Sequence, residues 1–185
     1  METPATFKLG AGNARVSFSV RWFGVIQVRG SFDDVSGTLV IPGAGEDASV
    51  SMQVSSQSVR TGISLRDHHL AGLRFLDSER YPVIRFVSDE VSRQNGVWHV
   101  RGKLTLRGQE RPVSTSAPDE PDGAGRHRLR AEFTVPRRPH AIGTAHGIRR
   151  LNPLLWAIGD DVTLHVELLV PATLFQPAAA HVPGR

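Results

Sequence analysis

Apolar side chains recur at every second position in segment after segment of this chain, and this alternation restricts the fold more than any other feature. In ARVSFSVRW, Val16, Phe18, Val20 and Trp22 alternate with serine and arginine. The pattern returns in ASVSMQVS, VIRFVS, WHVRGKLTL, LRAEFTV and DVTLHVELLV. Such alternation is typical of strands with one buried face. About eight antiparallel strands must then close into a barrel or form a sandwich to cover their apolar faces.

Turn sequences separate these segments, among them Asp33-Asp34, Asn95-Gly96 and Pro121-Asp122-Gly123. The 18 glycines and 12 prolines also favour many short strands over a helical bundle. A length of 185 residues suits one domain. We assign residues 1–175 to that all-β domain and residues 176–185 to a flexible C-terminal tail.

The stretch RDHHLAGLRFLDSERYP interrupts the alternation. On a helical wheel, Leu65, His69, Leu73 and Leu76 share one stripe, which predicts a short helix over about 64–76. Ser64 with Asp67 resembles the start of a capping box. We expect this helix to close one end of the barrel.

Adjacent His68 and His69 raise the question of a metal site. Neighbouring helix residues diverge by about 100°, so the two rings cannot bind one ion from the same helix. A site built with distant histidines, His140 or His146, stays open. We favour His69 as a partly buried helix residue with a hydrogen-bond partner, and we expect no metal.

Several function classes lack their sequence requirements. The chain has no cysteine, which removes disulfides and thiolate chemistry. GISLR lacks the second glycine of a nucleophile elbow, and no dinucleotide or phosphate-binding loop is present. Basic residues are spread among apolar ones instead of clustering, which argues against nucleic-acid binding despite a net charge of +4. We therefore expect a non-catalytic protein without a cofactor.

The first residues, METPATFKLGAGNARVSF, have no apolar core of the kind found in a secretory signal. We expect a cytoplasmic location on that basis. The long connection over residues 136–159 contains Leu154, Leu155 and Trp156. These three side chains predict a lid, a patch for transient membrane contact, or ordinary core packing.

The inward positions of the predicted strands are modest in size, as at Val28, Ala131 and Val166, and Gly102 faces the same way. An eight-stranded barrel is either filled by its side chains or holds one small ligand. Small inward residues favour the second arrangement, so we expect a cavity.

An ordered series of residues then resembles a known family. The series runs Thr61, Arg66-Asp67, His69-Leu70, Phe75, Tyr81-Pro82, Phe86, Gly102, Leu104-Thr105 and Gly108. With it, the segments from about Phe7 to Val170 resemble the YceI-like family of bacterial polyisoprenoid-binding proteins, which have a lipocalin-like barrel. This chain departs from the family pattern at Gly10, Asn13 and Ala14, at Trp22, and at Arg138-Pro139-His140-Ala141. Of the family's properties, recognition of the ligand's head group is therefore the one least transferable to this chain.

The resemblance implies a single YceI-like, eight-stranded antiparallel barrel that holds an isoprenoid or other long lipid. Arg66 and Asp67 would pin the helix. We expect anionic head-group contacts from Arg137, Arg138, Arg149 and Arg150. The candidate lining residues are Phe18, Val20, Trp22, Val54, Leu70, Leu73, Phe75, Phe86, Val100, Leu104, Phe133, Leu164 and Val166.

Two alternatives stay open beside lipid binding. One is a hydrolase or other enzyme that acts on a lipid-like substrate. The other is a structural or interaction barrel with no ligand. Pairing of the barrel into homodimers also stays open.

Overall fold

The computed structural model describes residues 4–41, 48–144 and 157–175, and most of these residues lie in strands. The described residues form eleven strands: β1 (Ala5–Gly10), β2 (Ala14–Trp22), β3 (Ile26–Phe32), β4 (Val35–Ile41), β5 (Ser49–Ser55), β6 (Val59–Arg60), β7 (Val83–Gln94), β8 (Val97–Leu106), β9 (Gln109–Pro121), β10 (Arg126–Pro136) and β11 (Ile158–Pro171). Within these ranges the α-helix α1 (Ser64–Ala71) stands between β6 and β7. Short 3-10 turns lie at Ser56–Ser58, Arg138–His140 and Ala172–Phe175.

The eleven strands make eight passes of the chain, because three passes are each split into two strands. β1 and β2 pair with β4 and β3, while β5 and β6 pair with the same two strands from the other side. Asn13 marks one interruption: its Oδ1 accepts a hydrogen bond from the Gly10 amide at 2.9 Å. The predicted number of strands, eight, therefore fits the passes, whereas backbone irregularities raise the strand count to eleven.

The pairings return on themselves. From β4 the order is β5, β7, β8, β9, β10, β11, β2 and β3, and β3 continues along the chain into β4. Each pair is antiparallel, as in the register that places Phe18 beside Leu164 of β11 and beside Gly30 of β3. The class is all-β and the architecture is a barrel, which confirms the prediction.

The alternation in the sequence has the expected physical result along β8. Trp98, Leu104 and Leu106 are buried on the inner face. On the outer face, Arg101 forms an ion pair with Glu90 and Lys103 forms one with Glu110. Each strand thus presents apolar side chains to the interior and charged ones to water, which is the reason for closure.

The two ends of the barrel differ, and we name them by their contents. The helix end is where β2, β6, β8 and β10 end and where β3, β7, β9 and β11 begin, and it carries α1. The far end is where β7, β9 and β11 end, and it carries the 3-10 turn Ala172–Phe175.

The helix is shorter than predicted, ending at Ala71 instead of about residue 76. Gly72 leaves the helical conformation with ψ 172°, and its amide donates to the carbonyls of His68 and His69. The chain then turns tightly, with the Leu76 amide donating to the Leu70 carbonyl at 2.9 Å. The stripe of leucines concealed that stop, because Leu73 and Leu76 continue the helical spacing beyond Ala71.

Candidate binding cavity

The barrel encloses a cavity of about 860 Å³, within the size range of small-ligand sites. All thirteen side chains proposed from the sequence lie on its wall: Phe18, Val20, Trp22, Val54, Leu70, Leu73, Phe75, Phe86, Val100, Leu104, Phe133, Leu164 and Val166. Their contact with a ligand stays a prediction. The wall is apolar almost throughout, and such a surface favours apolar occupants.

Two cross-strand arrangements keep the interior open. Gly30 lies where an added Cβ would come within 2.4 Å of the Phe18 ring, and Gly102 lies where it would come within 2.7 Å of the Phe86 ring. The large rings therefore lie over glycines of the neighbouring strands. The expected cavity is present, but Gly102 adds no empty space to it, because the Phe86 ring occupies the space beside that glycine. The glycine instead lets an aromatic ring lie close to the wall.

Further lining residues escaped the sequence argument. Phe32, Met52, Trp98 and Leu129 lie in phase with predicted lining residues, so the same alternation could have found them. Ile63, Leu65 and Ile142 also line the cavity, but they come from the helix and loops of the helix end. Only the path of the chain around the mouth brings this second group to the wall, and period-two alternation carries no information about it.

A buried carboxylate organises the far end. The Asp119 side chain is only 1% exposed and receives a hydrogen bond from Arg93 at 2.5 Å and another from His127 Nδ1. The Phe175 ring packs on Trp98, with centroids 5.4 Å apart, and on the edge of His127. The Arg93 guanidinium lies 5.5 Å from both the Trp98 and the Phe175 ring centres. These contacts close the cavity at this end.

Thr61 anchors the helix at the opposite end. Asp67 Oδ1 accepts hydrogen bonds from the Thr61 amide at 2.8 Å and from the Thr61 hydroxyl at 2.5 Å. Arg66 donates to Thr61 Oγ1 and to the Thr61 carbonyl. Arg66 and Asp67 thus pin α1 as expected, but through Thr61. Ser64 makes no capping hydrogen bond, so the predicted capping box is wrong: the Asp67 carboxylate reaches back beyond the helix start instead.

The histidines do not assemble into a metal centre among the described residues, where no group of three or more metal-ligating side chains occurs. His68 and His69 are both exposed at the cavity mouth. The expectation of a partly buried His69 is therefore wrong, since α1 lies at the surface and turns this face to solvent. His146 lies outside the described residues.

His140 is the buried histidine, with 1% of its surface exposed. Its Nδ1 donates to the Leu106 carbonyl at 3.2 Å. Burial lowers the pKa of His140, and the nearby Arg111 cation adds to that effect. A histidine held neutral in this way ties the 3-10 turn Arg138–His140 to the end of β8.

The predicted head-group arginines occupy different settings. Arg137 is 5% exposed at the cavity mouth, and its guanidinium donates to the carbonyls of Ile142, Ile158 and Gly159. The structure therefore gives Arg137 a structural role, joining the loop after β10 to the start of β11. Arg138 is exposed and forms an ion pair with Asp160 at 3.3 Å. Arg149 and Arg150 lie outside the described residues, as do Leu154, Leu155 and Trp156.

The cavity wall offers little reactive chemistry in the described part of the chain. Its polar side chains are Arg66, His68, His69, Arg74, Thr115 and Arg137, with no carboxylate, serine or lysine among them. A Ser–His–Glu alignment lies instead on the outer surface. There His165 Nε2 is 3.4 Å from Ser19 Oγ, and Nδ1 is 3.1 Å from Glu132.

Comparison with known proteins adds to this geometry. The sequence matches the YceI-like domain over residues 7–170. The chain belongs to the YceI-like family. A UPF0312 protein of Pectobacterium atrosepticum is 30% identical over 141 residues, which are 73% of this chain and 73% of that protein. Protein YceI of Salmonella arizonae is 29% identical over 141 residues, covering 73% of this chain and 74% of its own.

Solved structures share the YceI-like fold. BcnA of Burkholderia cenocepacia superposes with a TM-score of 0.73 at 19% identity, covering 85% of this chain and 96% of that one. A polyisoprenoid-binding domain of Saccharophagus degradans, implicated in plant cell wall breakdown, gives 0.68 at 18% identity, covering 92% of this chain and 99% of that one. At these identities the likeness shows the fold alone.

Proposed function

We propose that this YceI-like protein binds a long apolar lipid, a polyisoprenoid chain, inside its barrel. One observation carries the proposal: the inward faces of the strands surround about 860 Å³ of space with an apolar wall that their own side chains leave unfilled. The family supports it, because a polyisoprenoid-binding domain with the same fold is among its solved relatives.

The energetics fit such a ligand. Each methylene-sized group removed from water contributes about 0.8 kcal/mol, so a five-carbon unit contributes roughly 4 kcal/mol before costs. Because non-covalent affinity saturates at about 18–21 kcal/mol, ordering of the chain must offset part of the gain from several units. One carbon group more or less changes affinity by only about 1–3 kcal/mol. We therefore expect soft discrimination of chain length.

Extraction tests the proposal. The purified protein is treated with organic solvent, and the extract is analysed by mass spectrometry for lipid bound per protein. A double variant, Val100→Trp with Ala131→Trp, places two indoles inside the cavity and is expected to lower bound isoprenoid at least about tenfold by removing room for the chain. The matched control places the same side chains on the outer face of the same strands, as His99→Trp with Thr134→Trp.

The control variant is expected to retain the lipid of the unmodified protein, and circular dichroism checks that both variants keep their sheet. Equal lipid content in all three proteins, or an extract that contains no long apolar molecule after exposure to an isoprenoid, would overturn the proposal.

We also propose that binding involves no catalysis, against the alternative of a hydrolase. The one alignment that resembles hydrolytic machinery in the described residues is Ser19 with His165 and Glu132. Ser19 is 7% exposed and pairs with Arg29 on one side and Thr163 on the other, so strand pairing surrounds it with no preorganised oxyanion site. Turnover of a chromogenic ester by the protein that Ser19→Ala abolishes would contradict this part of the proposal.

A cytoplasmic location, pairing into homodimers, the absence of nucleic-acid binding and the extent of the domain, 1–175, stay predictions. An anionic head-group contact from Arg138 stays a prediction too, tested by whether Arg138→Glu weakens binding of a phosphorylated isoprenoid more than of the uncharged alcohol.

A further inference from the structure

Exposed large apolar side chains concentrate at one end of the barrel. Among the described residues, seven of the eight lie at the helix end, and the exception, Val87, lies on the outer wall. The seven, which we call the apolar rim, are Phe23, Val25, Ile26, Ile63, Leu65, Leu73 and Val83. No described residue of this class lies at the far end. An exposed cluster of this kind marks an interaction surface.

The apolar rim is continuous with the cavity mouth. Ile63, Leu65 and Leu73 are more than half exposed to solvent and also line the cavity. Phe23 and Val25, at the tip of the β2–β3 hairpin, do not line it, but the Phe23 ring packs on Trp22 with centroids 4.9 Å apart, and Trp22 does. A surface bound to the apolar rim would therefore meet the opening through which a ligand enters.

The two ends also differ in net charge. The described helix-end segments 21–26, 60–83, 106–111, 136–144 and 157–161 contain nine arginines against six carboxylates, an excess of three positive charges. The far-end segments 4–9, 48–50, 93–98, 118–127 and 170–175 contain three cations and three carboxylates. Arg21 and Arg74 are exposed and form no ion pair within the described residues. A positive apolar surface complements an anionic lipid surface.

We propose that the helix end docks on an anionic lipid bilayer, with the tip of the β2–β3 hairpin and the start of α1 inserted among the head groups. This inference rests on the proposed function, because a long apolar lipid has its reservoir in a bilayer. The hairpin tip and the start of α1 expose their apolar side chains to solvent, and Val25 at the hairpin tip is 84% exposed. Such side chains can insert between head groups. No described helix has the length and apolarity to span a bilayer.

Vesicle sedimentation tests the docking. The unmodified protein is mixed with vesicles of phosphatidylcholine alone, and with vesicles in which about one third is phosphatidylglycerol, and is expected to sediment mainly with the second. Phe23→Asn with Val25→Asp is expected to weaken that binding at least about tenfold, since two apolar side chains no longer insert. Asparagine tolerates the positive φ of 51° at position 23. Val87→Asp is the matched control and is expected to bind like the unmodified protein.

A charge-reversed variant separates the electrostatic part. Arg21→Glu is expected to weaken binding to the anionic vesicles by about tenfold or more and to leave the weak binding to phosphatidylcholine unchanged. Failure of the unmodified protein to sediment with anionic vesicles, or equal sedimentation of the hairpin-tip variant, would overturn the docking. So would a dimer in solution that the hairpin-tip substitutions dissociate, because the apolar rim would then bind a second copy.

The lipid assay keeps the two proposals distinct. The hairpin-tip variant is expected to take up isoprenoid from detergent micelles as well as the unmodified protein does, but to extract it from vesicles at least about tenfold more slowly. Uptake from micelles without vesicle binding removes the docking and leaves the cavity function. Vesicle binding without uptake from either source removes the cavity function and leaves a bilayer-binding surface.

Discussion

At the far end of the barrel a buried carboxylate binds other side chains, whereas at the helix end buried side chains such as Arg137 and His140 hold loops and strand ends through backbone carbonyls. β9 and β10 pair only between residues 119–121 and 127–129, at the far end. At the helix end, β3 pairs with β6 only through Ser31 with Arg60 and Phe32 with Val59, so residues 26–30 extend beyond that neighbour. At the far end β9 and β10 thus stay paired beside the buried Asp119 carboxylate, whereas at the helix end these two strands part and β3 extends beyond β6.

This difference gives the two ends different roles, with the stability of the barrel at the far end and ligand access at the helix end. Ligand-binding loops come from regions of low local stability, because opening must cost little free energy there. The exposed apolar rim has that character, while the hydrogen bonds at Thr61 hold α1 at the mouth. The far end supplies the fixed closure against which a chain can be buried. A barrel with two closed ends would hold a lipid without exchange. A barrel with two open ends would let water reach the lipid and would reduce the free energy gained by burying it.

The strongest test of the far end is removal of its carboxylate. Asp119→Ala leaves Arg93 and His127 without their common partner beside a nearly fully buried position. Loss of one member of a buried pair costs about 3–5 kcal/mol, and because Arg93 is 41% exposed we expect about 3 kcal/mol. Urea unfolding measures the free energy. Glu120→Ala, which removes an exposed ion pair with Arg130, is the control and is expected to cost within about 0.5 kcal/mol. Similar losses in both variants would contradict the assigned role of Asp119.

The helix end is expected to respond locally. Thr61→Val removes the hydroxyl that donates to Asp67 and accepts from Arg66, and we expect a loss of about 1–2 kcal/mol. Amide hydrogen exchange is the measurement: the α1 amides should exchange about tenfold faster, while the β8 amides change little. Thr6→Val on the exposed face of β1 is the control. Equal acceleration in β8 would show that α1 and the barrel unfold as one unit, and the contrast between the ends would not stand.

The residues of the barrel wall could be predicted from the sequence, whereas most contacts at the two ends could not, for a physical reason. Burial of one face imposes period two on every strand, so Phe18, Phe133 and Leu164 could be assigned to the cavity from alternation alone. Asp119 had no such pattern around it: it follows a proline near the end of β9 and is defined by partners 26 and 8 residues away. The exposure of His69 likewise depends on where α1 lies.

The arginines show the same limit. The basic residues after β10 predicted contacts with an anionic head group, but the Arg137 guanidinium donates its hydrogen bonds to three backbone carbonyls. Whether a guanidinium meets solvent or main chain depends on loop geometry, which composition does not encode. Alternation and the helical stripe predicted the strands and the helix, and the YceI-like resemblance implied a barrel, while the settings of Arg137 and Arg138 follow only from the structure.

Acidification is expected to give the smallest effect and to act at the helix end. Burial holds the pKa of His140 below the ordinary value of 6.5, so below that pH the unfolded chain binds a proton that the folded chain does not. Stability is therefore retained above about pH 6.5 and falls as the pH is lowered toward the folded-state pKa, by at most about 1.4 kcal/mol per pH unit. Urea unfolding from pH 7.5 to 5 should show a shallower dependence for His140→Asn, which keeps a donor for the Leu106 carbonyl. His99→Asn on the outer wall should keep the slope of the unmodified protein. Were His140→Asn to keep that slope as well, the acid sensitivity would belong to other groups, and the helix end would lose this distinction from the far end.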